Sequence, residues 1–491
     1  MADGKGWPVS RRRLLQTAGA LGAAGVAGAL YGLYQRQGGA PDGPGPMAAS
    51  RLGPVAPVAD ETTGLPLLKL PAGFRYRSFS WTGDVLADGS PTPPRHDGMA
   101  VVRDVRGSLT LIRNHENGPG PRIEAAGSIY DPVVLPGDRG GPLGGGTTRL
   151  VYSSGTWVGA EASLGGTLIN CAGGPTPWGS WLTCEEIVAD LTGLGGKLHG
   201  LVFEVPASAP ASAVPITGMG LMRHEATAID PRTGIVYQTE DNGNQSGLYR
   251  YLPDDTSGRI GSLEAGGRLE MAKVAGAPQA DMGMPEQGAG FDIEWVPVAD
   301  PLALPAEAGD PLRMRGASGP FMQGWEQGAA RFNRLEGVWF HDGVLHFADT
   351  NAGPANAGAI WSYTPSPEDP AGGGRLTALF VSRSRAEANN PDNLTVNPAT
   401  GGLFFCEDGY GQGGALRLMG LTPDGGTYVV SENAVVLEAA DIERIGKPAI
   451  EPGDYTDQEW CGVCFSPDGR TLFVNIQTPG ITFAIEGPWG A

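Results

Sequence analysis

Basic residues are scarce in this chain: Lys and Arg number 34 against 53 Asp and Glu, a formal net charge of −19 over 491 residues. A nucleic-acid partner needs a basic surface to displace counterions, so that class is excluded as the main partner. Cysteine is nearly absent as well, and its 5 copies, odd in number and without a spacing that suggests pairing, give no disulfide framework. Cys461-x-x-Cys464 falls in a predicted strand, where residues three apart face opposite sides, so neither a local bridge nor a shared metal is expected there. Cys171, Cys406, Cys461 and Cys464 read as buried thiols. No Ser or Thr nucleophile motif stands out, and no dimerisation helix or open repeat edge suggests an oligomer, so a monomer is expected.

What the chain has in quantity is glycine and proline, 79 and 42 copies, beside 41% hydrophobic residues. That mixture excludes a disordered protein and predicts many short strands joined by turns. The first residues carry Ser10-Arg11-Arg12-Arg13-Leu14-Leu15 and then an Ala/Gly-rich apolar run to about Tyr34, the pattern of a twin-arginine export signal that engages the twin-arginine translocase. Ala27-Gly28-Ala29 offers a cleavage site, while the run is also long enough to stay as a membrane anchor; both outcomes remain open. Residues 35–65 read as a linker and 66–491 as one domain, placed in the periplasm or outside the cell.

Six hairpins with acidic ends recur at 96–116, 167–186, 223–241, 334–349, 392–408 and 459–477. Each is followed by further strand candidates, giving about four strands per unit, the anatomy of a propeller blade. The fold expected is all-β, a six-bladed β-propeller with long rim insertions at 117–160 and 254–330. In a hairpin the start of the first strand and the end of the second share one sheet edge. Asp97, Glu116, Glu185, Glu225, Glu240, Glu336, Asp349, Asp392, Glu407 and Glu459 should therefore converge on one mouth of the channel. So many carboxylates repel one another by several kcal/mol unless protonated or bridged by cations. Oxygen ligands favour Ca²⁺, and Fe³⁺ where a thiolate or imidazole joins them.

Thr-Pro-Trp-Gly-Ser-Trp-Leu-Thr-Cys-Glu-Glu at 176–186, His-Glu-Ala at 224–226, Arg-Leu-Glu-Gly at 334–337, Asp-Asn-Leu at 392–394 and Cys-Glu-Asp-Gly at 406–409 resemble the PhoX family of bacterial alkaline phosphatases. The resemblance covers nearly the whole chain behind the leader. It implies a propeller holding ferric iron and calcium, with a bridging oxygen and a cysteine ligand, that hydrolyses phosphomonoesters outside the cytoplasm. Carried over, Glu225, Glu336 and Asp392 are metal ligands, joined by Glu116 and Glu407. Arg334 is the phosphate clamp and, with Glu336, the catalytic pair. Cys184 is preferred to Cys171 as the thiolate ligand, with Glu185 in the same site. Arg113, Arg149 and Arg223 are weaker phosphate candidates, and His224 is an orienting group or an ordinary hydrogen-bonder. Glu240 and Asp241 shape the rim. The chain departs from the longer members where Glu185-Glu186 runs into Ile187-Val188. Two other readings stand beside this one: a calcium-dependent lactonase or phosphotriesterase, and an exported propeller that only binds.

Overall fold

The computed structural model describes residues 47–490 apart from 49, 139, 306, 311 and 410–413. The leader 1–34 and the first part of the linker lie outside the described residues. Among these residues no helix is long and apolar enough to cross a membrane.

Strands dominate among the described residues: beside four two-stranded sheets they form five larger ones, and because the nine-stranded sheet among these spans a third and a fourth group of four strands each, the units are numbered one to six in chain order. The first holds His96–Val105, Ser108–His115, Gly145–Ser153 and Thr156–Thr167; the second Asn170–Pro175, Ser180–Glu185 and Val202–Pro206; the third His224–Ile229, Val236–Glu240, Leu248–Pro253 and Gly267–Val274. The fourth holds Leu335–His341, Val344–Asp349, Ala359–Pro365 and Gly374–Val381; the fifth Pro391–Val396, Leu403–Glu407, Arg417–Leu421 and Thr427–Asn433; the sixth Trp460–Phe465, Thr471–Ile476 and Ile481–Glu486. The first strands adjoin one another in chain order, and that of the sixth sheet adjoins that of the first. Arg75–Phe79, from the start of the chain, pairs with Ile481–Glu486 and completes the sixth sheet. Within the expected linker, Val55–Val58 pairs with Leu68–Pro71, which in turn joins the outer edge of the fifth sheet.

Local chemistry explains the turns. In Asp230-Pro231-Arg232-Thr233-Gly234 the Asp230 carboxylate accepts the Arg232 N–H at 2.9 Å, and Gly234 supplies the left-handed residue at φ 76°. Asn397 plays the same part before Pro398, accepting the Ala399 N–H at 2.9 Å, whereas Ser466, before Pro467, accepts the Thr471 N–H at 3.0 Å from the far side of its turn. Apolar side chains from the two faces of each strand fill the seams: Phe347, Trp361 and Tyr237 between the third and fourth sheets, Trp460, Phe404 and Phe483 between the fifth and sixth. Full burial of each such ring contributes about 1.5–3 kcal/mol.

The expected rim insertions are partly sheet. Gly145–Ser153 and Thr156–Thr167 belong to the first sheet, but their ladder shifts register at Gly145, Thr147 and Val151, which destroys the alternation that marks a strand in sequence. In 254–330, Gly267–Val274 is the fourth strand of the third sheet. Gly290–Val298 pairs with it and also with Gly374–Val381, fusing the third and fourth sheets into one of nine strands.

Candidate metal centre

All six first strands open in the same way. The first residue pairs with the end of the second strand: His96 with His115, Asn170 with Glu185, His224 with Glu240, Leu335 with Asp349, Pro391 with Glu407 and Trp460 with Ile476. The ladder then breaks, in the sixth strand only after one further pair, Cys461 with Asn475, and resumes at Met99, Gly173, Thr227, Val338, Leu394 and Cys464. A bulge of this kind re-aims the residues inside it. The second residues of the six strands, inside the bulge or, for Cys461, at its edge, are Asp97, Cys171, Glu225, Glu336, Asp392 and Cys461, all buried. At the third position the chains nearly touch. A Cβ on Gly98 would stand 2.5 Å from Ala172 Cα, one on Gly337 2.7 Å from Asn393 Cα, and one on Gly462 2.6 Å from the Asp97 carbonyl. Each contact reaches the next sheet round the ring, so only small residues fit.

Donor atoms gather in three groups within which all lie inside 4.8 Å: Glu225, Glu336 and Asp392; Cys171, Glu186 and Glu225; Asp97, Glu459 and Cys461. Glu225 links the first two. Carboxylates at that spacing repel by about 3 kcal/mol per pair at an effective dielectric of 20. Arg334 Nη2, 2.7 Å from Glu336 Oε1, offsets part of that repulsion. Burial, then Asp241, push the Glu336 carboxyl well above the usual carboxylate range. Its Oε2 has no hydrogen-bond partner among the described residues. Burial, then Glu225 and Glu186, likewise push the Cys171 thiol up. A cation between these atoms reverses both preferences. Buried oxygen donors with one adjoining sulfur therefore fit a hard cation beside one that accepts thiolate.

The structure thus brings together Glu225, Glu336, Asp392 and Arg334, and separates four other expected ligands from them. Cys184 packs in the apolar seam with Leu182, Val202 and Ile216; Cys171 occupies the place by Glu225. Glu185 accepts from the Leu168, Gly200 and Leu201 N–H groups and lies 2.7 Å from His199 Nδ1. Glu407 is held by Arg417 at 2.6 Å and accepts the Asn389 N–H at 2.8 Å. Glu116 is paired with Arg95 at 2.5 Å and accepts from Gln477 at 2.9 Å. The shared reason is position. These acids end second strands, where they fasten the chain leading into the first strand; Asp349 does the same with the Asn333 N–H at 3.3 Å. Glu186, Asp97, Glu459 and Cys461 were outside the expected ligand set. The second position of each bulged strand, aligned over six repeats, is the signal that selects Asp97, Cys171 and Cys461.

Of the remaining candidates, Arg113 is wholly buried, with His96, Thr148 and Thr482 as partners. Arg149 pairs with Glu161, and Arg223 is bonded to Asn242. His224 Nε2 donates to the Gly220 carbonyl at 2.8 Å, and burial lowers this imidazole to about 4, so it is a neutral hydrogen-bonder. Contrary to the strand alternation expected, Cys461 and Cys464 both face the first sheet, because the bulge between them shifts the alternation by one residue: Cys461 Sγ donates to the His96 carbonyl at 3.0 Å, and Cys464 packs with Met99 and Phe473 in an apolar seam.

The profile of the family described as Alkaline phosphatase PhoX matches residues 51–157 and 140–480. No curated protein matches the chain. Among solved structures, Pseudomonas fluorescens PhoX in complex with vanadate, a transition state analogue, superposes with a TM-score of 0.61 at 17% identity, over 89% of this chain and 98% of its own. A gluconolactonase from Xanthomonas campestris gives a TM-score of 0.37 at 12% identity, over 91% of this chain and 98% of its own. The first likeness concerns the fold; the second is too slight to bear on either fold or chemistry.

Proposed function

Because this chain belongs to the alkaline phosphatase PhoX family, a family of phosphoric monoester hydrolases, we propose that it is a metal-dependent phosphomonoesterase built as a six-bladed propeller. The observation that carries this reading is the buried Glu225–Glu336–Asp392 group with the Arg334 guanidinium at its edge. Calcium suits the all-oxygen group, and ferric iron suits the group that includes Cys171. When bound, such cations supply Lewis acidity toward phosphoryl oxygens and toward the attacking water.

The chain's own residues do the rest. Glu225, Glu336 and Asp392 fix the position of positive charge. Arg334, with a side chain 21% exposed, is reachable by a phosphoryl group and presents a planar fork that matches phosphate oxygens. No protein nucleophile is needed. The lactonase and binding-only alternatives have no use for a thiolate beside Glu225. Export by the twin-arginine translocase to the periplasm or beyond is supported by Arg11-Arg12-Arg13 and the following apolar run.

The test is metal analysis together with p-nitrophenyl phosphate turnover on protein exported by its own leader. Iron and calcium are expected with the folded chain, and Arg334→Ala is expected to lose at least about a hundredfold in kcat/KM. A folded, metal-loaded Arg334→Ala with unchanged turnover overturns the assignment.

A further inference from the structure

Arg334 is held from two directions by the loop that follows the third sheet's hairpin. Its backbone sits in the left-handed region at φ 68°, unusual for a long side chain and strained there. Its N–H donates to the Gly243 carbonyl at 2.8 Å and to Ser246 Oγ at 3.0 Å. Its Nε lies 2.9 and 3.2 Å from Asp241 Oδ1 and Oδ2, and its Nη2 lies 2.7 Å from Oδ2. The same Nη2 donates to Glu336 Oε1 at 2.7 Å. Asp241 takes the Nε/Nη2 edge and Glu336 the other Nη2 hydrogen, so the two carboxylates together fix the plane of the group. Asp241 follows Val236–Glu240 directly and is 6% exposed, whereas Arg334 precedes Leu335–His341. The ion pair therefore crosses the seam between two sheets.

We propose that Asp241 is a positioning residue: its carboxylate sets the plane of the Arg334 guanidinium against Glu336, so that an incoming phosphoryl group meets a preset fork. The inference rests on the phosphatase reading above. The rival arrangement has Asp241 standing where the phosphate belongs, to be displaced when it binds. The two differ in sign: loss of an orienting carboxylate weakens phosphate binding, whereas loss of a competitor tightens it.

The experiment uses full-length, metal-loaded protein, with p-nitrophenyl phosphate kinetics and calorimetric binding of inorganic phosphate. In Asp241→Asn, KM and the phosphate Kd are expected to rise roughly tenfold while kcat falls less than about threefold, at unchanged metal content. In an Arg334→Ala background the same substitution is expected to add no further loss. That double variant removes both charges together and carries the test should the single variant not fold. An unchanged or tighter Kd, a loss of metal, or a further loss in the Arg334→Ala background overturns the proposal. A wild type that binds phosphate but turns over no phosphomonoester sinks the phosphatase reading instead, and the calorimetric arm then decides for Asp241 alone.

Discussion

Cys171 and Cys184 are both fully buried, and burial pushes both thiols up, yet their surroundings differ. Cys184 stands on a second strand, against apolar neighbours. Cys171 stands in the bulge of a first strand, within 4.8 Å of donor atoms of Glu186 and Glu225. Cys171→Ala is accordingly expected to lose the thiolate-dependent cation and at least about tenfold in turnover. Cys184→Ala should keep the metal complement and lose about 1 kcal/mol of stability to the small cavity it leaves. Elemental analysis with thermal unfolding of the two variants checks this, and equal metal loss in both would undo the distinction. Glu225, Glu336 and Asp392 were legible in sequence because each stands at the opening of a strand that the repeat pattern exposes, whereas Glu186, just past the end of a second strand, was not. The thiolate was not, because a cysteine followed by two glutamates at 184–186 looks richer in ligands than a lone Cys171 followed by Ala-Gly-Gly. Only the bulge, a feature of backbone pairing, turns Cys171 toward the acids.

At the scale of the hairpin, the two acidic ends do different work. The first-strand acids enter the bulge and face their neighbours round the ring, while the second-strand acids accept backbone N–H groups two residues ahead of the first strand, as Glu185 does from Leu168 and Glu407 from Asn389. Turn chemistry made the hairpins readable: Asp-Pro, Asn-Pro and Ser-Pro followed by a left-handed glycine announce them. The outer strands were less readable, since register shifts between Gly145–Ser153 and Thr156–Thr167 erase the two-residue period. The bulges also create crowding that can be tested. A Cβ at residue 337 would meet Asn393 Cα at 2.7 Å and the Asp392 carbonyl at 2.9 Å, backbone atoms that cannot swing aside. Gly337→Ala should therefore push the fourth and fifth first strands apart, lower stability by about 1–3 kcal/mol and cut activity through displaced Asp392. A melting temperature and turnover equal to wild type would show that the strands yield freely.

Across the whole molecule the ring concentrates negative charge where the sheets meet, on a chain already at −19. Cations at the centre would then stabilise the fold as well as act on substrate. The pH dependence separates these contributions. Without cations, burial and then Asp241 push the Glu336 carboxyl well above the usual carboxylate range. A buried acid with a raised pKa binds more protons folded than unfolded, so stability falls as pH rises above the ordinary carboxylate value. Glu240 adds a slope of the same sign with or without metal: burial raises it to about 7 from 4.5, despite the Tyr249 hydroxyl it accepts from at 2.6 Å. Its share amounts to about 3 kcal/mol, lost between those values. Chelator-stripped protein is thus expected to melt at steadily lower temperature from pH 5 to 8, and the metal-loaded protein to decline less, by Glu240's share alone. Glu240→Gln should flatten the loaded curve and leave a residual slope in the stripped one. Parallel curves for loaded and stripped protein would mean that the central carboxylates are balanced without cations, and that the charge of the ring has no part in metal binding.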